Sequence, residues 1–437
     1  MLNLQYPPQL VPQKNTQKYL RSSMLWTLVI ESVNDQDDFS KKNLPYGVCT
    51  RFHETFLATR LGNFVIRLEN LPLSESILKG ESSWNRIMGL PKLRRVAFRE
   101  SLKAALFDME HSVLLDDKIF INTVFPIHEC VDQLPCVIGG YTDFYASRDH
   151  AFNVGTMYRG KDNALQPNWM HLPVGYHGRN SSVVKSPSSV FRPNGQLNEG
   201  RTYGPCKRLD FELEIGFFVG GEENPIGTTL SVKQARDRIF GYVLLNDWSA
   251  RDVQTWEYVP LGPFCAKNFC TTISNWIIPY EALQEYKCSP SFTKEQTNPR
   301  PLEYLRDEEY LLYDMDLFAY LSTSKSETSP ELIAKTNFKH LYWTPAQMIA
   351  HHTSTGCNMK PGDLLGTGTI SGPEAGSYGS LLELSWNGQK PLKLKTGETR
   401  SFLEDGDTVK FQGRVRTGGI GFGDCTGIIV PNLKSRF

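Results

Sequence analysis

The chain has 437 residues, enough to bury a large core and to form two or three domains. Its 47 Lys and Arg balance 47 Asp and Glu without a long basic block, which argues against a nucleic-acid surface or a polybasic membrane patch. The 35 Gly and 26 Pro are spread along the sequence, as in a turn-rich, largely β protein.

Residues 1–28, with Pro7-Pro8 and a polar, Gln-rich character, read as a disordered extension. Lys14, Lys18 and Arg21 precede any acid, a faint likeness to a transit peptide, and Met24 is an alternative start. The apolar run Leu25 to Ile30 is too short to span a membrane. Residues 29–135 read as a first domain. Asn43 to Val48 is a turn entering strands, and RLGNFVIRLENL from Arg60 to Leu71 is a hairpin through Gly62-Asn63. Leu93 to Phe107 has helical spacing through Leu93, Val96, Ala97, Leu102 and Leu106. No reactive constellation stands out in this part.

Residues 136–437 read as a second, larger domain of short strands, turns and a few helices. YTDFY at Tyr141–Tyr145 leads to His150, and the Gly-, Pro- and aromatic-rich Gly155–Arg159 and Pro173–Arg179 read as loop. In DFELEIGFFV, from Asp210 to Val219, Asp210, Glu212 and Glu214 alternate with Phe211, Leu213 and Ile215, so it is a strand with its carboxylates on one face. Such a row is either a set of cation ligands or a solvent-exposed acidic face. Gly241 to Ser274 begins as a buried strand, ends it in Asn246-Asp247, and then brings Arg251, Asp252, Gln254, Glu257 and Lys267 among aromatics. Charges in that setting meet one another, a metal or an anion. Residues 284–310 look like a surface excursion. Tyr342 to Asn358 is a helix whose His351-His352 read as core or helix-end histidines in preference to ligands. LLGTGTISGPE is a Gly-rich strand and loop without nucleotide-binding spacing, SLLELSW from Ser380 to Trp386 is a strand, and turns at Asp405–Asp407 and Gly418-Gly419 connect the closing strands. The nine Cys show no CxxC pair and read as buried thiols of a reducing cytoplasm.

Asp143, Glu212, Glu214 and Asp247 are hard oxygen donors at or within expected strands, a set suited to Mg²⁺ or Ca²⁺ and not to zinc. His150 is free for proton transfer, and Arg251, Gln254 and Lys267 are donors for a developing oxyanion.

Residues 40–435 resemble the fumarylacetoacetate hydrolase family. The likeness is carried by NLPYGV at Asn43–Val48, YTDFY with His150, PVGYHGR at Pro173–Arg179 and ELE at Glu212–Glu214. NDWSARDVQTWEYVPLGPF at Asn246–Phe264, GTISGPE at Gly368–Glu374 and LELSW at Leu382–Trp386 complete it. The resemblance implies a mainly β (α+β) protein: a small N-terminal SH3-like β-barrel over 29–135 and a larger mixed β-sandwich or roll catalytic domain over 136–437. It implies metal ligands at Asp143, Glu212, Glu214 and Asp247, with Lys267 and Thr271 nearby. It puts a general base at His150, oriented by Glu383, and oxyanion donors at Arg251, Gln254 and Lys267. Substrate contacts fall on Tyr145, Arg159, Tyr176, Gln254, Tyr258 and Thr369. Cys270 stands where the family has a glycine. The implied reaction is metal-dependent cleavage of the carbon–carbon bond of 4-fumarylacetoacetate to fumarate and acetoacetate, the last step of tyrosine breakdown, by a cytoplasmic homodimer with no organic cofactor. The rival within the superfamily is an acylpyruvate hydrolase or related diketo-acid hydrolase or decarboxylase. A two-metal nuclease is disfavoured by the neutral charge, and a non-catalytic homologue by the presence of His150, Glu383 and Lys267.

Overall fold

A computed structural model describes residues 22–75, 78–292, 295–325 and 329–432. The helical spacing near residue 93 is realised as the helix Lys92–Phe107, which buries Phe98, Leu102 and Leu106, whereas Leu93 and Ala97 of the expected apolar face are exposed. The hairpin through Gly62-Asn63 joins Glu54–Leu61 to Phe64–Arg67. These two strands belong to a five-stranded antiparallel sheet with Val124–Pro126 on one side and Tyr46–Arg51 and Val131–Gln133 on the other.

Of the extension expected over 1–28, residues 1–21 lie outside the described residues. Residues 22–28 are helical instead, the start of Ser22–Ser32. Trp26 is the physical reason: its indole has no exposed surface and its Nε1–H donates to Leu106 O at 3.1 Å. An indole that finds both an apolar slot and an acceptor orders the turn around it. Trp26→Ala is therefore expected to cost about 3–5 kcal/mol, read as a lower urea midpoint; an unchanged midpoint would make the helix a loose appendage.

The larger part is built on an eight-stranded mixed sheet. Its central strands run in the order Tyr141–Phe144, Leu364–Gly366, Leu213–Val219, Ile239–Asp247 and Thr271–Ile273. Ile239–Asp247 is buried at all nine positions, as expected for a strand covered on both faces. Tyr242 and Leu244 point into one hydrophobic cluster with Leu213, Ile215, Phe217, Leu317 and Phe411. Val243 and Leu245 point the other way, into a cluster shared with Phe218, Trp84, Phe98 and Leu102. One face of the sheet thus meets the N-terminal helix and strands. The other meets a second five-stranded sheet that includes Met315–Ser322, Thr408–Val415 and Gly421–Val430. The protein is mainly β.

Four segments differ from the sequence reading. Asp210–Val219 is not one strand: Leu209–Asp210 pairs with Ser249–Ala250, and only Leu213–Val219 belongs to the main sheet. Gly155–Arg159 is no loop but the end of the helix Arg148–Arg159, whose start is capped by Ser147 Oγ accepting from His150 N. Pro173–Arg179 contains a short strand, Gly175–His177. SLLELSW is not a strand: Leu381–Leu384 is a short helix, because Ser380 Oγ accepts from Glu383 N and turns the chain. The paired histidines stand in the last turn of Pro345–Thr353, where His352 Nε2 meets Thr142 Oγ1 at 2.9 Å and His351 meets the Tyr304 hydroxyl.

Candidate active site

Parity along the strands puts three of the acids together. Asp143 shares a face with Tyr141, Glu214 with Phe218, and Asp247 with Val243 and Leu245; all these apolar partners belong to the cluster on the N-terminal side of the sheet. Asp143 and Glu214 stand two strands apart, with Gly366 between them in register with Asp143 and Gly216. Two strand spacings are about 10 Å, a gap that two carboxylates close only over a strand without side chains. A Cβ at Gly366 would lie 2.4 Å from Asp143 Oδ1 and 2.9 Å from Glu214 Oε2. Gly368, at φ +78°, donates its N–H to both carboxylates, at 3.2 and 3.1 Å.

Asp143, Glu212, Glu214 and Asp247 each offer an oxygen within 4.8 Å of the others, and all four are buried. The exposed acidic face that the ELE alternation left open is thereby excluded. Asp210, expected on the same face, does not join them; it pairs with Arg251. Burial, then the neighbouring Asp247 charge, pushes Asp143 well above the ordinary carboxylate range. Burial and the Asp143 charge do the same to Glu214. Burial also raises Asp247, against the opposing pull of Lys267. Burial would raise Glu212 too, but Lys267 and Arg251 outweigh it and hold it at about 2. Among the described residues nothing donates a hydrogen bond to Glu214 Oε1 or Asp247 Oδ1. Four crowded carboxylates, two with bare buried oxygens, fit a hard divalent cation.

Lys267 Nζ bridges Glu212 Oε2 at 2.5 Å and Asp247 Oδ2 at 2.6 Å. Burial works against its charge, but Asp247 and Glu212 outweigh burial and raise it, so it stays an ammonium. Its loop is fastened by the Glu257 carboxylate, which accepts from Phe264 N and Ala266 N. Arg251 opens the helix Arg251–Glu257 and is buried between Asp210 Oδ2 and Glu212 Oε1, each at 2.8 Å. Its Nη1 donates to Gln254 Oε1 at 3.0 Å. That contact fixes the Gln254 amide with its NH₂ group turned away from Arg251, available as a donor. Tyr176 OH donates to Asp247 Oδ2 at 2.9 Å.

His150 is buried in the first turn of its helix, and its Nδ1 lies 2.6 Å from Glu383 Oε2. Glu383 is also buried. Burial would raise its carboxyl, but the His150 imidazole and the hydrogen bonds it accepts outweigh that and lower it. Those donors are Ser371 Oγ and Ser380 Oγ on Oε2 and Asn153 Nδ2 on Oε1. An acceptor-only carboxylate requires the proton on Nδ1, which leaves Nε2 as the basic nitrogen.

A cavity of about 560 Å³ is lined by Asp143, Tyr145, His150, Arg159, Tyr176, Glu212, Arg251, Gln254, Tyr258, Lys267 and Thr369. Thr369 is buried, and among the described residues its Oγ1 has no hydrogen-bond partner. Arg159 spends Nε and one Nη on the carbonyls of Asn163 and Ala164, which fixes its reach. Tyr258 is 40% exposed and stands at the mouth. Glu214 and Asp247 lie outside the lining, Glu383 stands behind His150, and Thr271 pairs across the ladder with Asp247. Cys270 is buried and is not among the residues with positive φ, so no glycine is needed there. A larger hollow of about 1520 Å³, between the helix Ser22–Ser32, Trp276 and Phe422, contains none of these groups. Chemistry, not size, selects the smaller one.

Sequence reasoning missed Asn153, Ser371 and Ser380, the hydroxyls and amide that hold Glu383. Two signals were present. Asn153 follows His150 by three residues, one helical turn, and Ser380-Leu381-Leu382-Glu383 has the S-x-x-E spacing of a helix start.

A sheet-borne carboxylate cluster that could hold a cation, beside a carboxylate-oriented histidine, fits metal-assisted acid–base chemistry such as hydrolysis. Comparison with known proteins makes the class specific. Residues 140–430 match the family described as Fumarylacetoacetate (FAA) hydrolase C-terminal. The chain is 45% identical over 422 residues to a fumarylacetoacetase of Dictyostelium discoideum, covering 92% of this chain and 97% of that one. It is 44% identical over 420 residues to one from Caenorhabditis elegans and 43% identical over 417 residues to one from Homo sapiens, in both covering 92% of this chain and 98% of the other. A solved structure from Mycobacterium smegmatis, 16% identical, superposes with a TM-score of 0.52 over 88% of this chain and 99% of its own, a likeness of fold alone. The chain belongs to the fumarylacetoacetate hydrolase family.

Proposed function

We infer that this chain hydrolyses the carbon–carbon bond of 4-fumarylacetoacetate, giving fumarate and acetoacetate at the end of tyrosine catabolism. The observation that carries the reading is the meeting of the His150–Glu383 pair and the carboxylate cluster at one cavity. The relatives bearing the fumarylacetoacetase name match over 92% of the chain, which disfavours the acylpyruvate hydrolase or decarboxylase reading.

Asp143, Glu212, Glu214 and Asp247 would hold Mg²⁺ or Ca²⁺, which when bound supplies a Lewis acid for the diketone oxygens. His150 Nε2 takes a proton from water as the water oxygen bonds to the carbonyl carbon. Gln254, Lys267 and Arg251 stabilise the resulting tetrahedral oxyanion. As that oxyanion collapses to the carboxylic acid fumarate, the carbon–carbon bond breaks and its electron pair leaves on the acetoacetate fragment. That fragment regains a proton, for which protonated His150 is the source at hand. Tyr145, Arg159, Tyr176, Tyr258 and Thr369 grip the rest of the substrate, Arg159 by its remaining guanidinium N–H groups.

In the same reading residues 29–135 are the SH3-like barrel unit, supported by the five-stranded sheet confined to that range, and 136–437 the catalytic unit. The nine free cysteines support a reducing, cytoplasmic setting, and none of the helices among the described residues is long and apolar enough to cross a membrane. The family resemblance supports a homodimer, which light scattering checks as twice the 49.5 kDa chain.

The test is to offer purified protein fumarylacetoacetate with and without a chelator and follow the diketone absorbance. Turnover is expected, abolished by the chelator and restored by Mg²⁺ or Ca²⁺. An inert protein, or one that cleaves acylpyruvates faster, would overturn the reading.

A further inference from the structure

Asp210 is the one acid of the DFELE run that the carboxylate cluster does not use, and it is fully buried. Its Oδ1 accepts from Leu381 N at 2.7 Å and from Phe211 N at 2.8 Å. Its Oδ2 accepts from Leu382 N at 3.0 Å and from Arg251 Nε at 2.8 Å. Four donors on two oxygens saturate an ionised carboxylate. Apart from the adjacent Phe211 N, the partners come from two separate parts of the chain, and each of those leads into the site. Leu381 and Leu382 immediately precede Glu383, which holds His150 Nδ1. Arg251 holds Gln254 through Nη1 and faces Glu212 through Nη2.

We propose that Asp210 is a positioning residue that sets the general-base arm and the oxyanion arm of the site against each other. It touches neither the carboxylate cluster nor the cavity, so it acts through Glu383 and Arg251. Local geometry makes the coupling rigid. Leu209-Asp210 pairs with Ser249-Ala250, directly before Arg251, and Leu209 also bridges Leu403. Rotating Asp210 would therefore disturb both arms at once. A structural anchor alone would need only one of these attachments. The inference rests on the hydrolase reading above.

Asp210→Asn is the discriminating variant. It keeps size and one acceptor oxygen but turns an NH₂ group towards donors, so Arg251 or the Leu381–Leu382 amides lose a partner. With fumarylacetoacetate, kcat is expected to fall about 10²-fold, the scale of a misplaced catalytic group, with KM and bound metal within about threefold of wild type. A second readout does not depend on turnover. With ¹⁵N-histidine label, the downfield His150 Nδ1 proton of the Glu383 hydrogen bond is expected in the wild-type protein and is expected to shift or vanish in Asp210→Asn. A wild-type chain without turnover would sink the hydrolase reading, while the imidazole signal would still decide the positioning role. Should Asp210→Asn fail to fold, Asp210→Ser leaves room for water at the freed N–H groups and is expected to give the same kcat loss and the same signal change. Unchanged kcat with an unmoved imidazole proton, or loss of the fold in both variants, would overturn the proposal.

Discussion

His150→Ala is expected to lower turnover of fumarylacetoacetate by about 10²–10⁴-fold, the range for removing a general base, while leaving the fold and the bound metal intact. The separation of effects follows from placement. His150 lies on the helix Arg148–Arg159 and contributes no oxygen to the carboxylate cluster, so removing its ring takes nothing from the cation seat. The ring is buried, and its loss leaves a small void beside Tyr145, whose ring centroid lies 5.3 Å away edge-on. Glu383 would lose one donor but keep Ser371, Ser380 and Asn153, so its charge does not become an unpaired buried one. The direct checks are steady-state turnover, metal content after dialysis and the thermal transition. Near-normal turnover would remove His150 from the base role, whatever the family resemblance implies.

Which parts of this site the sequence revealed depends on how local each signal is. The strand Leu213–Val219 was legible only in part, because the alternation runs from Asp210 to Ile215 and covers just its first residues, and the helix Lys92–Phe107 was legible because of its apolar spacing. The four acids were legible as a set only by chemistry, hard donors at or within expected strands. Their convergence depends on Gly366 clearing the space between strands and on the Gly368 N–H meeting both Asp143 and Glu214, long-range facts that no single segment records. The strand reading of SLLELSW misplaces Glu383, although Leu and Glu favour helix. Ser380 capped a helix there instead, and the turn is what carries Glu383 to His150. The apolar run Leu25–Ile30 around Trp26 was a local signal, but the slot and acceptor that hold the indole come from Leu106, 80 residues later. Asp210 was grouped with Glu212 and Glu214 by period alone. Its real partners, Arg251 and the amides of Leu381 and Leu382, lie 41, 171 and 172 residues away.

Asp247→Ala is expected to lose bound metal and turnover together, with no detectable ion after dialysis and activity down by more than about 10³-fold, because the variant forfeits both a ligand and the Lewis acid it helps hold. Asp247 ends the central strand of the sheet, and its two oxygens have separate surroundings. Oδ2 takes Lys267 Nζ and Tyr176 OH, while Oδ1 is one of the two bare buried oxygens. Truncation therefore removes the cation's oxygen and also one of the two carboxylates that bridge Lys267. The ammonium would then rest on Glu212 alone, buried and half-compensated, so some loss of stability should accompany the loss of metal. Asp247→Asn separates the two effects. The amide keeps the volume and one carbonyl oxygen but cuts the cluster's charge, so metal affinity falls while the ligand geometry survives. Adding excess Mg²⁺ or Ca²⁺ is expected to restore part of the activity of the Asn variant and almost none of that of the Ala variant. If Asp247→Ala instead retained stoichiometric metal through dialysis, or turned over substrate at near wild-type rate in chelator, Asp247 would not be a ligand and the cation seat would have to be drawn without it.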